Sequence, residues 1–477
     1  MKIFFKNLSG FFSPSIEIIK KCLKMNSPCE EWLRGSPTRN NVLFLIFFSF
    51  LSCCFSFYFP GTINLHEYGA SLSAAEALLE GLRPYRDFIP LNAPLNFYIP
   101  AMLMKYFGIH LSSLLLYFSL GHMVILLLAV LIGRHYFKTR LAYFLFIFVF
   151  LPQVFLNSMN GFQYFFSLLS FLFTILFFER SDKRLLFYSG ICGAIGFLFD
   201  FAIGMVFSMV IILGFLLLFI SNRWDKKKTR ESIETYFKAI AVIGIPFFLY
   251  LLFSNMFFGF VETSGSLFNY RLGQTFLYPF LFLIFYFFDK GYVFFIANSS
   301  GKKIRKSIVV LLCFWVGLSI VSGIYFYQKK IIAAVRDVRA LQIPRAQKVL
   351  LPIDQARDIE TLVMIVKRSV SLKDKIFIYP DGGALYFFME RPFYGRFPMA
   401  GLSGFNEKWH EELMALLKKD PPQYVILPKI FNSLYEKIYL GNEKKRKAFN
   451  EIMWFISEHY TRKGTTLDAI IYKLNQK

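Results

Sequence analysis

His66 and Glu67, then Arg83, Tyr85, Arg86 and Asp87, fall in one stretch, LHEYGASLSAAEALLEGLRPYRDFIPLNAPLNFY (65–98). The stretch carries two arginines and four carboxylates, with Pro84, Pro90 and Pro94 as breakers. A carboxylate held at a membrane boundary can accept a proton from a substrate hydroxyl or amine. Arginines beside it can bind phosphate through paired N–H donors. Together they suit displacement of a lipid phosphate at a bilayer surface. The plainer reading is that these charges are solvated or paired with one another, since a Glu next to a His is a weak motif by itself.

The elements that must position this cluster are apolar. The chain has 477 residues, 56% hydrophobic and 19% aromatic, with mean hydropathy +0.47, which points to a polytopic α-helical membrane protein. A span needs roughly 20 apolar residues. Runs at 41–60, 111–133, 141–157, 162–178, 238–259, 275–297 and 307–327 qualify. The 36 residues of 185–220 are too long for one span, and Asp200, Gly196 and Gly204 interrupt them, so a hairpin of two short helices is expected. The total is about nine spans.

Alternate loops carry Arg134, Lys138 and Arg140; Arg180, Lys183 and Arg184; Arg223, Lys226, Lys227, Lys228 and Arg230; and Lys302, Lys303, Arg305 and Lys306. Segment 1–40 is basic too. By the positive-inside rule all five face the cytoplasm. They account for much of the net charge of +23 without any nucleic-acid partner. The cluster of 65–98 then lies outside, in a loop spanning 60–110. Residues 72, 75, 78, 79 and 82 form an apolar helical face stopped by Gly81, which predicts an amphipathic helix on the membrane surface. PLNFYIPAMLMKYFG predicts a second interfacial helix leading into the next span.

Residues 328–477 read as an extracytoplasmic α/β domain following the transmembrane domain of 41–327. IDQARDIETLVMIVKRSV has helical spacing, and NEKWHEELMALLKKDPP has an Asn cap and a Pro stop. KIFIYPDGG, QYVILP and AIIYKL read as strands. The six cysteines lack a zinc-ribbon pattern. No cleavable leader is expected, because the first long apolar run starts only after forty residues. No phosphate-binding loop or dinucleotide fingerprint appears.

Other polar residues admit two readings. Asp200 within an apolar run is a functional candidate, or it caps the hairpin tip. Asn157, Asn160 and Gln163 could bind sugar hydroxyls, or they satisfy turn backbone. Arg271, in the outer loop expected at 260–274, could meet a phosphate, or it snorkels at the interface. Asp381-Gly382-Gly383 could bind a sugar or phosphate, though most such runs are only turns. The basic run 443–449 reads as a solvated helix face or a contact for acidic lipid headgroups. His410 and His459 have no partners at metal spacing.

Residues 66–108 resemble the first outer loop of membrane glycosyltransferases of the GT-C fold, in the group of the protein O-mannosyltransferases and the lipid A aminoarabinose transferase. That pattern has an acidic pair, a Tyr, a helix, then G-x-x-P-Y-x-D-F, a Pro-Leu segment and an aliphatic helix ending in Phe-Gly. The matching residues are Glu67, Tyr68, Gly81, Pro84-Tyr85, Asp87-Phe88, Pro94-Leu95 and Phe107-Gly108. One departure is His66, where the group commonly has the first acid of its pair. The resemblance implies a sugar donor on a polyprenyl phosphate and transfer with inversion to an envelope acceptor, lipid, glycan or protein. Glu67 is the expected base; the alternatives are that His66 acts as base or that catalysis differs. Asp87 would orient the base or hold an optional divalent cation, with no other cofactor implied. Tyr85, Arg83, Arg86, Asp200 and Arg271 would line the donor site. The chain would be a multi-pass protein of the bacterial inner membrane with a cytoplasmic N-terminus. A transporter or flippase of lipid-linked sugars, or a non-catalytic envelope assembly protein, is the competing reading.

Overall fold

The computed structural model describes residues 35–58, 65–147, 161–220, 226–272, 289–290, 338–347, 349–371, 373–428, 443–466 and 469–475. Side chains at 52, 55, 56, 58, 65–67 and 267–272 are outside that description. The apolar runs at 148–157, 275–288, 291–297 and 307–327 also lie outside it, with Asn157, Asn160 and the basic loops at 223 and 302–306.

The described chain is mainly helical. Helices α1 (Arg39–Tyr58), α2 (Leu65–Leu79), α3 (Leu95–Phe107), α4 (Leu111–Tyr136), α5 (Gly161–Arg180), α6 (Lys183–Phe199), α7 (Phe201–Ile220), α8 (Lys226–Phe253) and α9 (Phe257–Leu272) come first. Four of these, α4, α5, α7 and α8, are long and apolar enough to cross a membrane. Their outward faces are apolar as well: on α7, Met209, Leu213, Leu217 and Ile220 are exposed. A helix that is apolar all round needs lipid or protein on every side.

The chain divides into two compact units. In the unit of 1–50, 126–154 and 276–325, Asp289 organises the start of the helix that begins at residue 140. Its buried carboxylate accepts from Lys138 N (2.8 Å), Thr139 N (3.2 Å) and Thr139 Oγ1 (2.7 Å). Asp289 thus caps a helix from outside its own segment, satisfying N–H groups that have no partner within the helix.

The unit of 51–125, 155–275 and 326–477 holds the candidate site. Here 185–220 forms the expected hairpin, with the break at Asp200. Asp200 N donates to Gly196 O at the end of α6 (2.9 Å), and its carboxylate accepts from Ile203 N at the start of α7 (3.0 Å). Small and hydroxylic residues pack α5 on α6: Ser189 Oγ donates to Ser170 O (2.7 Å) and shares a bond with Thr174 (2.7 Å). Such contacts replace the hydrophobic drive that lipid removes.

Residues beyond 338 fold as α/β. A short ribbon of β1 (Val338–Ala340) and β2 (Leu350–Pro352) precedes α10 (Ile353–Ser369). A four-stranded sheet runs in the order β3 (Ile376–Ile378), β4 (Tyr424–Pro428), β6 (Ala469–Leu474), β5 (Tyr460–Thr465), with only β3–β4 parallel. Alternation divides its side chains between two faces. Phe377 and Val425 pack with Trp409, Leu413, Leu417, Ile452 and Phe455. These come from α12 (Glu407–Lys419) and α13 (Glu443–His459); α11 (Gly383–Met389) follows β3. The Asn cap of α12 is present, Asn406 Oδ1 accepting from Lys408 N (3.0 Å).

On the other face, Ile376, Ile378, Ile426 and Ile471 join Ile359, Leu362, Val363 and Val366 of α10. The same core continues into Leu72 and Ala75 of α2, Ala101 and Met104 of α3, and Leu111 and Leu114 of α4. The C-terminal segment is therefore packed onto the first loop. The surface-lying amphipathic α2 expected from its sequence is corrected here. Ala70, Ser71, Leu72, Ser73, Ala74, Ala75 and Ala77 are all buried, so the helix is covered around its circumference. Its Ala and Ser residues let other backbones approach. A Cβ on Gly69 would lie 2.5 Å from Ala384 N, and one on Gly383 would lie 2.5 Å from Gly69 O. Only glycine at both positions permits that crossing of α2 and α11.

Candidate functional site

The RPYRDF turn is the most constrained piece of the site. Pro84 presets one backbone angle. Tyr85 takes φ +65°, a left-handed conformation rare for an aromatic residue. Tyr85 N donates to Phe88 O (2.7 Å) and Asp87 N to Arg83 O (2.8 Å). The Asp87 carboxylate closes the knot, accepting from Arg83 N (2.8 Å) while its other oxygen meets Arg86 Nε (3.2 Å). Both guanidinium side chains of the turn, Arg83 and Arg86, are exposed.

Packing from three directions holds the strained residue. The Tyr85 ring stands edge-on to Phe260 (5.2 Å between centroids) and Phe97 (6.2 Å). Its carbonyl lies directly over Gly259, where no side chain would fit. Phe201, next to Asp200, belongs to the same aromatic cluster and stands edge-on to Phe260 (5.1 Å). Ile89 N donates to Arg396 O (2.9 Å), keying the turn into the C-terminal segment. Burial pushes the Tyr85 hydroxyl well above its usual titration range, and among the described residues that hydroxyl has no hydrogen-bond partner.

The turn, the hairpin tip and α9 thus meet around one cluster. Asp200 is buried there, a few atoms from a second link: Asn96 Nδ2 donates to Phe199 O (2.5 Å) and Asn96 Oδ1 accepts from Tyr117 Oη (2.8 Å). Arg271 departs from expectation. Residues 257–272 form a helix where a loop was expected, because α8 ends at Phe253 and α9 restarts three residues later. Arg271 is eleven residues beyond Phe260, about 16 Å along the helix axis at 1.5 Å per residue. The backbones of His66 and Glu67 lie in the first turn of α2, three and two residues before the Gly69–Gly383 crossing, which brings the Asp381-Gly382-Gly383 turn alongside. Gln163 is buried in α5, and among the described residues its side-chain oxygen has no partner.

A residue pair that sequence reasoning passed over is Glu76 and Arg345. Arg345 Nη1 binds Glu76 Oε1 and also donates to Phe387 O (3.0 Å), with its guanidinium 5.0 Å from the Phe387 ring. Burial raises the Glu76 carboxyl to about 7, against the opposing pull of Arg345. The available signal was a carboxylate inside the small-residue run SAAEALL, where a solvated face would place more polar neighbours.

Among the described residues no three His, Cys, Asp or Glu side chains converge as a cation site. Asp87 has one oxygen on Arg83 N and the other on Arg86 Nε. Neither a family model, nor a curated protein, nor a solved structure matches this chain.

Proposed function

We propose that the chain is an inverting glycosyltransferase that moves a sugar from a polyprenyl phosphate to an envelope acceptor at the outer face of the inner membrane, with its N-terminus in the cytoplasm. The observation that carries this reading is the RPYRDF turn, a hydrogen-bonded knot with two exposed guanidinium groups, whose Tyr85 packs in one cluster with Phe201 of the hairpin. Rigid cationic donors favour a leaving phosphate because they need no reorganisation as its charge develops. The acceptor oxygen or nitrogen attacks the anomeric carbon. The bond from that carbon to the phosphate oxygen breaks, and the polyprenyl phosphate leaves with the electron pair. Glu67 takes the proton that the acceptor loses. Arg83 and Arg86 meet the phosphate, and Asp87 acts as a positioning residue by fixing Arg86.

A transporter would use charges within its spans. Asp200 and Asp289 instead bind helix-terminal N–H groups, which supports the transferase reading over a flippase. The test is sugar transfer in proteoliposomes from a panel of polyprenyl-phosphate donors. The expected result is transfer by the wild type and a loss of about 10²–10³ in rate on removing a phosphate donor, as in Arg86→Ala. Glu67→Gln should abolish transfer while leaving donor binding intact. Unchanged transfer by Glu67→Gln moves the base to His66, and absence of transfer by the wild type with every donor defeats the reading.

A further inference from the structure

Helix α13 carries a feature that sugar transfer does not use. Trp454 is 63% exposed, the most exposed large apolar side chain beyond residue 258 among the described residues. The inward face of α13 is filled by Ala448, Ile452, Phe455 and Ile456, so the orientation of Trp454 follows from the helix register. Lys447 stands two turns before Trp454 on the same face, and Lys444 and Arg446 flank it, all exposed. Arg462 and Lys463, just past the helix, are exposed as well, and two carboxylates share the face, Glu451, paired with His410, and Glu458, so the cations outnumber the acids there. A lone exposed indole between basic clusters is the chemistry of a membrane interface, where the ring sits at headgroup level and cations meet phosphates.

Packing puts this helix next to a membrane-bound element. Lys445, at its start, lies 3.7 Å from the centroid of the Phe405 ring. The next residue, Asn406, donates through Nδ2 to Glu262 Oε1 (3.1 Å) and Ser266 Oγ (3.2 Å) of α9. Helix α9 begins only three residues after α8, which is long and apolar enough to span. The basic end of α13 is therefore one side-chain contact and one hydrogen-bonded residue away from the helix that continues a span.

We infer that the outer face of α13, with Lys444, Arg446 and Lys447 at its start and Trp454 two turns beyond Lys447, is a docking surface for anionic lipid headgroups. It steadies the C-terminal segment against the bilayer, independently of whether the chain transfers sugar. The interaction is charge-assisted, so it weakens with salt.

The test uses the full chain in nanodiscs of phosphatidylcholine alone or with one-third phosphatidylglycerol. Subtracting the emission of Trp454→Phe from that of the wild type isolates Trp454 from the other tryptophans. In anionic nanodiscs this component should be quenched by lipids brominated near the headgroup and shielded from aqueous iodide. Changing Lys444, Arg446 and Lys447 together to Gln, or adding salt, should cut the lipid quenching at least about twofold. Iodide quenching undiminished by anionic lipid would overturn the inference. So would shielding from both quenchers, which would mean a protein covers the face, or equal lipid quenching in zwitterionic discs. Circular dichroism of each variant controls for folding.

Discussion

Arg345 pairs with Glu76 across 269 residues of chain, joining α2 to the α/β segment at the far end. The pair sits among the small and apolar side chains that pack α2 against α11. Its carboxyl is held by two opposed effects, burial and a neighbouring cation, and burial is the larger.

That balance predicts a pH dependence. The folded state holds the Glu76 proton more tightly than the unfolded chain, so the stabilisation is fully present below about 4.5 and is lost as pH rises to about 7. The whole loss is on the order of 3 kcal/mol. Thermal unfolding in detergent between pH 4 and 8 should show this decline in the wild type. Glu76→Gln, which mimics the protonated form, should flatten it. A variant that keeps the same decline would assign the slope to another group.

The Gly69–Gly383 crossing predicts a steric penalty. Gly69→Ala places a methyl 2.5 Å from Ala384 N, on backbone that cannot turn away. The expected cost is about 1–3 kcal/mol. Gly265, inside α9, has nothing within 4 Å of the same atom, so Gly265→Ala should gain up to about 1 kcal/mol from helix propensity. Melting temperatures of the two variants should move in opposite directions.

Tyr85 separates binding from stability. Its hydroxyl is buried without a partner among the described residues, so Tyr85→Phe should leave unfolding unchanged or raise stability by about 1 kcal/mol. If the hydroxyl meets a donor sugar, the same variant lowers transfer. Stability and transfer measured on one preparation should diverge, and a parallel fall in both would mean the hydroxyl has a structural partner.

Asp289 should behave as a cap. Asp289→Ala leaves the N–H groups of Lys138 and Thr139 without their acceptor, a loss of about 1–2 kcal/mol. Asp289→Asn retains one acceptor oxygen and should recover most of it. Hydrogen exchange at 138 and 139 reads the effect directly. Equal protection in the Ala variant would refute the capping role.

The sequence by itself determined what short-range chemistry controls. Helical spacing and the Asn406 cap predict α10 and α12. The polar interruption of an apolar run predicts the hairpin, with Asp200 capping both of its helices. The three strands read from the sequence appear within the sheet. Each signal lies within a few residues of its consequence.

Only the tertiary structure decided which faces are covered and which charges meet. An Ala- and Ser-rich helix has almost the same sequence pattern whether one side or every side is buried, so α2 read as a surface helix. The strain at Tyr85 is invisible in RPYRDF, because the residues that hold it, Gly259 and Phe260, lie far along the chain. Glu76 found Arg345 for the same reason: a pair separated by 269 residues leaves no periodicity, and its energy comes from a burial that neither segment provides alone.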